Sequence, residues 1–194
     1  MRYSIPTINS LAFVAYSGAR IVLDRFYVTG QPSDPAFPPI AGAGIKSIVC
    51  VREPGEAPPP PPVPGPPPFD LAHERGLAEK NHLAFSDIVI TRTMTQPEFD
   101  VAATEAAFAL ARNAHQAPAL VHCSTGDRAS SVFAALLILA GMPNLEASDF
   151  AANQLLLASP QILALVQGYR PALPPTEEFR AAAEATGIAL VARN

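Results

Sequence analysis

An apolar run, Ala119-Leu120-Val121, stops at the pair His122-Cys123, and a polar loop with one glycine, Ser124-Thr125-Gly126-Asp127, leads past Arg128 toward an almost wholly apolar stretch, residues 131–140. The spacing predicts a strand, a sharp loop and a helix. A cysteine at such a junction is well placed to be a thiolate or to hold an anion, because the first N–H groups of a helix lack intrahelical partners and point at whatever the loop encloses.

The rest of the chain supplies a frame for that junction. Residues 21–28 form an apolar and aromatic run interrupted by Asp24-Arg25, an entry strand or hairpin, and end in the turn signal Thr29-Gly30-Gln31-Pro32-Ser33. A short helix is expected over residues 35–40 and a strand over 45–51, β-branched and apolar enough to be buried on both faces. Cys50 falls inside it and reads as a small buried hydrophobe. Residues 57–68 are almost entirely proline, which can neither donate to a ladder nor continue a helix. They read as an exposed, stiff loop insertion, with a proline-recognising protein partner as the alternative.

Asp70 is a plausible N-cap for a helix through Leu71, Glu74, Leu77 and Ala78, with Asn81 past its end. A strand is expected over residues 83–90, a loop from Thr91 to Gln96, and a helix over 98–114 with Pro97 in its first turn and Val101, Phe108 and Ala111 on one apolar stripe. Beyond residues 131–140, helices are expected over 146–158, over 160–167 between Ser159 and Gly168, and from Thr176 to Gly187. Strands alternating with helices imply an α/β fold with a mostly parallel central sheet flanked by helices. The expectation is one domain over residues 1–194, with the proline insertion at 57–68 and a helical part at 144–194.

A chain of 194 residues that is 49% hydrophobic can bury a sizeable core. Its net charge of −4 and the lack of a Lys/Arg cluster exclude a nucleic-acid backbone as partner. The apolar patch at residues 11–16 is too short and broken for a membrane anchor or export signal, so the protein reads as cytoplasmic with no membrane partner. The two cysteines, Cys50 and Cys123, fit neither a disulfide framework nor a paired-ligand zinc site, and no metal or cofactor is expected.

The loop chemistry is mainly electrostatic. Bringing a thiol pKa from about 8.5 to about 5 takes roughly 4–5 kcal/mol of preferential thiolate stabilisation. A helix terminus supplies at most about 2 kcal/mol, leaving the rest to loop amides and Arg128. Asp127 opposes this: a carboxylate about 6 Å from a thiolate repels it by roughly 3 kcal/mol at an effective dielectric of about 20. Asp127 therefore has to point to solvent or be held by another cation.

Val121-His122-Cys123, a glycine three residues past the cysteine, and an arginine leading into a helix resemble the cysteine-dependent protein-tyrosine and dual-specificity phosphatase superfamily. More narrowly, residues 29–33, residues 45–52 with Glu56, and residues 122–128 resemble the bacterial DUF442 family of phosphatase-like or sulfurtransferase-like proteins, over roughly residues 21–140. The resemblance implies a dual-specificity-phosphatase-like fold. It also implies a Cys123 nucleophile that forms a phosphocysteine, Arg128 holding phosphate bidentately, and a cradle of amides from Ser124, Thr125, Gly126, Asp127, Arg128 and Ala129.

The sequence departs from the phosphatase pattern of five residues between cysteine and arginine followed by a hydroxyl residue, for it has four, then Ala129. A one-residue deletion keeps Arg128 as clamp and loses the hydroxyl; a gapless alignment keeps Ser130 as the hydroxyl and puts Ala129 at the arginine position. Four is also the length of the rhodanese persulfide loop, so a sulfur-donor substrate competes with a phosphate-containing one, although the chain has no Trp and lacks the segment that follows that loop in rhodaneses. A non-catalytic anion- or protein-binding pseudophosphatase is the third reading. The loop expected to carry a general acid, near residues 91–93, has no aspartate; Asp87 is the candidate acid, Asp100 a surface charge, and without an acid only good leaving groups depart quickly. His122 is either a group that steadies the loop or a core histidine.

Overall fold

The computed structural model describes residues 19–57 and 69–188. Its strands are Ala19–Val22 (β1), Phe26–Thr29 (β2), Ser47–Cys50 (β3), Ala84–Asp87 (β4) and Ala119–His122 (β5), joined in one sheet of order β1-β2-β5-β3-β4. The first two make the expected hairpin, antiparallel and turning where Leu23 and Asp24 take φ of 54° and 53°. Left-handed backbone at both positions gives the twist a tight hairpin needs. Each other neighbouring pair is parallel, as the βαβ alternation requires.

The strands are shorter than their apolar runs. Ile45 and Val51 are fully buried yet lie outside β3, and Ile88 keeps one bond to Cys50 before the chain leaves the sheet edge. Burial decides the composition of such a run; pairing decides the strand.

Helices cover both faces. A 3₁₀ turn, Asp34–Ala36, runs into Phe37–Gly42 (α1), and with Leu71–Lys80 (α2) these cover one face, where Phe37, Ile40, Ile48, Ala78, Leu83 and Leu120 form one cluster. Val49, Val51, Val121 and Cys123 face the opposite side, toward Gln96–Gln116 (α3) and Asp127–Leu139 (α4). Asn144–Gln154 (α5), Pro160–Gly168 (α6) and Glu177–Ala185 (α7) pack outside those two. Asp70, Ser159 and Thr176 cap their helices through the N–H groups of His73, Ile162 and Phe179, as the sequence predicts.

Three expectations need correction. Helix α4 starts at Asp127, not Ser131, and every one of its residues is buried. Its polar first turn is satisfied internally: Ser130 Oγ donates to Gly126 O at 2.8 Å and Ser131 Oγ to Arg128 O at 2.7 Å. Its apolar side chains, such as Phe133, Leu136 and Leu137, each contribute about 1.5–3 kcal/mol by leaving water. On α3 the buried stripe runs through Phe99, Ala103, Ala106, Leu110 and Ala114, whereas Val101 is 57% exposed. Helix α5 stops at Gln154, short of 158, because Ser130 and Asp127 take the N–H groups of Leu156, Ala158 and Ser159 out of any helix. Residues 58–68 of the proline segment and the patch at 11–16 lie outside the described residues. No helix among the described residues is long and apolar enough to cross a membrane.

Candidate active site

The four parallel strands end on one edge, so the loops after β2, β3, β4 and β5 gather there, the usual place for a site on such a sheet. Backbone bonds tie them together: Gln31 N donates to Ser124 O at 3.0 Å, and Val51 N to His122 O at 3.0 Å. Cys123 is the first residue past β5 and is fully buried, and both cysteines are free thiols.

The loop turns back on the sulfur. Gly126 N donates to Cys123 Sγ at 3.1 Å, and Gly126 itself has φ of 98° as the residue preceding α4. A side chain there would be strained, and its Cβ would also fall 2.4 Å from Leu156 Cδ1 and 2.7 Å from Leu156 Cβ. The glycine therefore serves both the turn and the close approach of Leu156.

Arg128 lies in the first turn of α4, close enough to the thiol to interact with it electrostatically. Its Nη1 donates to Ile90 O at 2.9 Å, and its Nη2 reaches Glu56 Oε1 at 2.6 Å and Oε2 at 2.8 Å. Its buried Nε has no protein hydrogen-bond partner among the described residues. Burial pushes the guanidinium pKa down, but the nearby Cys123 sulfur and then Glu56 outweigh it and raise it. Both terminal nitrogens of Arg128 are thus engaged by Ile90 O and Glu56, so they do not present the free bidentate fork that the resemblance implied. Ser130 Oγ does not turn to the sulfur: it donates to Gly126 O and accepts from Leu156 N at 3.0 Å. Ala129 is buried beside the loop.

Asp127 meets the condition set by its charge. Oδ1 accepts from Ala158 N at 2.6 Å and Ser159 N at 2.9 Å, the entry to α6, and Oδ2 lies 3.2 Å from both Arg92 Nη2 and Thr125 Oγ1. The carboxylate is balanced by a cation and a helix N-terminus.

Asp87 does not join this group. It ends the edge strand β4, pairs with Arg75 of α2, and lines surface hollows of about 580 and 820 Å³ with Ile88, Val101 and Glu105. One whole strand separates it from β5, which puts its backbone about 10 Å from His122 at ordinary strand spacing. Asp100 is held on α3, where it accepts from Gln96 Nε2 and Arg170 N. The segment beside Arg128, residues 90–94, contains Arg92 but no carboxylate.

A second polar group, unforeseen in the sequence, lies behind the loop. Cys50 and His122 are register partners on adjacent strands, and Glu74 comes over them from the first turn of α2. His122 Nε2 is 3.1 Å from Glu74 Oε1, an ion-pair distance that misses hydrogen-bond geometry. Burial pushes the imidazole toward neutrality, but Glu74 and then Cys50 override it and hold its pKa well above the ordinary value. Gln31 links the two groups: its Nε2 donates to Glu74 Oε1 at 3.1 Å and its Oε1 accepts from Arg52 Nη1 at 2.9 Å. Arg52 stacks on Phe69 and reaches Glu56 at 3.4 Å, so the chain of contacts runs from His122 to Arg128. The advance signals were His122 beside the cysteine and the resemblance of residues 29–33, Arg52 and Glu56; nothing marked Glu74.

No protein-family model matches the chain, and no curated protein matches it. Solved structures do. The core catalytic domain of the PP-IP phosphatase SIW14 from S. cerevisiae superposes with a TM-score of 0.59 at 15% identity, over 91% of this chain and 98% of that one. TpbA of P. aeruginosa gives 0.57 at 13% identity, over 86% and 90%. The chain thus shares its fold with these structures. A DUF442 protein from Shewanella putrefaciens shares it, with a TM-score of 0.50 at 20% identity over 74% of this chain and 83% of that one.

Proposed function

We propose that the protein is a cysteine-dependent phosphatase of the protein-tyrosine-phosphatase-like class, with Cys123 as nucleophile. The observation that carries this reading is the Gly126 N–H donated to Cys123 Sγ at the head of a buried helix whose first turn holds Arg128. Both donors favour a thiolate and, next, the negative charge of a phosphoryl group above it. In the first step the S–P bond forms, the bond from phosphorus to the leaving oxygen breaks, and that oxygen departs with the electron pair. In the second, water attacks phosphorus, the S–P bond breaks, and inorganic phosphate leaves with the thiolate restored.

Arg128 Nε, without a hydrogen-bond partner among the described residues, is the donor left to take a phosphate oxygen, while Ile90 O and Glu56 hold the two terminal nitrogens. Cys123 has no exposed surface, so substrate entry requires a covering group to move. No carboxylate stands in residues 90–94, and Asp87 is engaged with Arg75, so the favoured substrates have leaving groups that need no proton, such as aryl phosphates or diphosphates. The chemistry needs a reduced thiol, which fits a cytoplasmic setting.

Hydrolysis of an aryl phosphate tests the reading, with Cys123→Ser expected to abolish it and vanadate to inhibit it. Thiocyanate formation from thiosulfate and cyanide, with a persulfide on Cys123, would favour sulfur transfer instead. Failure of both assays while phosphate raises the melting temperature would leave a non-catalytic anion binder.

A further inference from the structure

We propose that Cys50, Glu74 and His122 form a buried site for one thiophilic divalent cation of the zinc type, behind the anion loop and separate from Cys123. Thiol sulfur, carboxylate oxygen and imidazole nitrogen come from β3, α2 and β5, and lie within 4.8 Å of one another. Both ring nitrogens of His122 and Glu74 Oε2 are buried without a hydrogen-bond partner among the described residues. Buried polar atoms are nearly always paired, so the unpaired Glu74 Oε2 and a His122 ring with no hydrogen-bonded nitrogen, beside a thiol, point to a ligand that takes one carboxylate oxygen and one ring nitrogen, the His122 Nε2 contact to Glu74 Oε1 at 3.1 Å notwithstanding.

The geometry suits such an ion. Three atoms no more than 4.8 Å apart always have a point within about 2.8 Å of each, and zinc bonds of about 2.0–2.3 Å need only sub-ångström contraction from there. Adjacent strands fix Cys50 and His122 in register, while Gln31 Nε2 holds Glu74 Oε1, the kind of outer contact that orients a metal ligand. Charge balances as well: a divalent cation with one thiolate, one carboxylate and a neutral imidazole is neutral overall, as burial demands. Binding exchanges the cation for the Cys50 thiol proton and any proton on His122. Thiolate and imidazole favour zinc or cobalt over magnesium or calcium, and three protein donors leave the fourth position to water.

The test uses the full chain, refolded under reducing conditions with zinc or cobalt because the donors are buried, then freed of loose metal. About one ion per chain is expected, with a thiolate-to-cobalt charge-transfer band and a higher melting temperature than the chelator-treated protein. Cys50→Ser and Glu74→Gln should lose the tightly held ion, and Cys123→Ser should keep both ion and band. Absence of retained metal in the wild type would overturn the proposal, as would metal that survives both Cys50→Ser and Glu74→Gln but disappears in Cys123→Ser.

Discussion

Glu56 grips Arg128 with both carboxylate oxygens, at 2.6 and 2.8 Å, from the loop after β3, while Arg128 Nε has no hydrogen-bond partner among the described residues. A guanidinium held in this way keeps its fork oriented without losing its charge. Glu56→Gln should lower the unfolding free energy by about 1–3 kcal/mol and reduce kcat/KM for an aryl phosphate more than tenfold. Denaturant midpoints and steady-state kinetics check the two effects.

The same pair sets an acid limit on stability. Burial alone would raise the Glu56 pKa, but hydrogen bonds and charge from Arg128, then Arg52, hold it below the ordinary 4.5. A depressed folded pKa means the contribution is complete above the ordinary carboxylate range and fades as pH falls through the lowered value. The stability gap between wild type and Glu56→Gln should therefore be constant near neutrality and shrink below about pH 4; a gap that widens toward acid would contradict the sign.

Gly126→Ala tests the loop. Left-handed backbone for alanine costs about 1–2 kcal/mol, and the contact with Leu156 adds overpacking of about 1–3 kcal/mol. We expect a clear drop in thermal stability and loss of vanadate binding. Because the contact comes from the Leu156 side chain, adding Leu156→Ala should recover part of the stability but not the backbone share.

Asp127 predicts a dissociation between stability and chemistry. Asp127→Ala frees the N–H groups of Ala158 and Ser159 and the Arg92 side chain, and should destabilise by about 1–3 kcal/mol, read from urea unfolding. Asp127→Asn retains one acceptor oxygen and should keep most of kcat. Asp87→Asn, at the sheet edge with Arg75, should change kcat less than about twofold, since protonation by an acid normally contributes about 100-fold or more.

Much of this was legible in the chain, and the exceptions have physical causes. Residues 45–51 are mostly apolar and 119–121 wholly so, which marked central strands, and Asp70, Ser159 and Thr176 marked helix starts. The junction at Cys123 was visible because strand, glycine and arginine are neighbours in sequence. The start of α4 was not, since Asp127, Arg128 and Ser130 look like loop residues until their partners, Ala158, Glu56 and Leu156, are brought in from other elements. Asp87 was favoured by its position along the chain, which cannot reveal that β3 stands between it and β5 or that Arg75 holds it. The meeting of Cys50, Glu74 and His122 is likewise purely tertiary, for no local spacing joins a strand residue to a helix that follows a proline-rich stretch.

The most direct test of the central claim is a rapid acid quench of the protein during turnover of an aryl phosphate, followed by mapping of the phosphorylated peptide. A phosphoryl group is expected on Cys123, absent in Cys123→Ser and decaying as inorganic phosphate appears. Hydrolysis that proceeds at the same rate in Cys123→Ser, or a phosphoryl group on a different side chain, would contradict it.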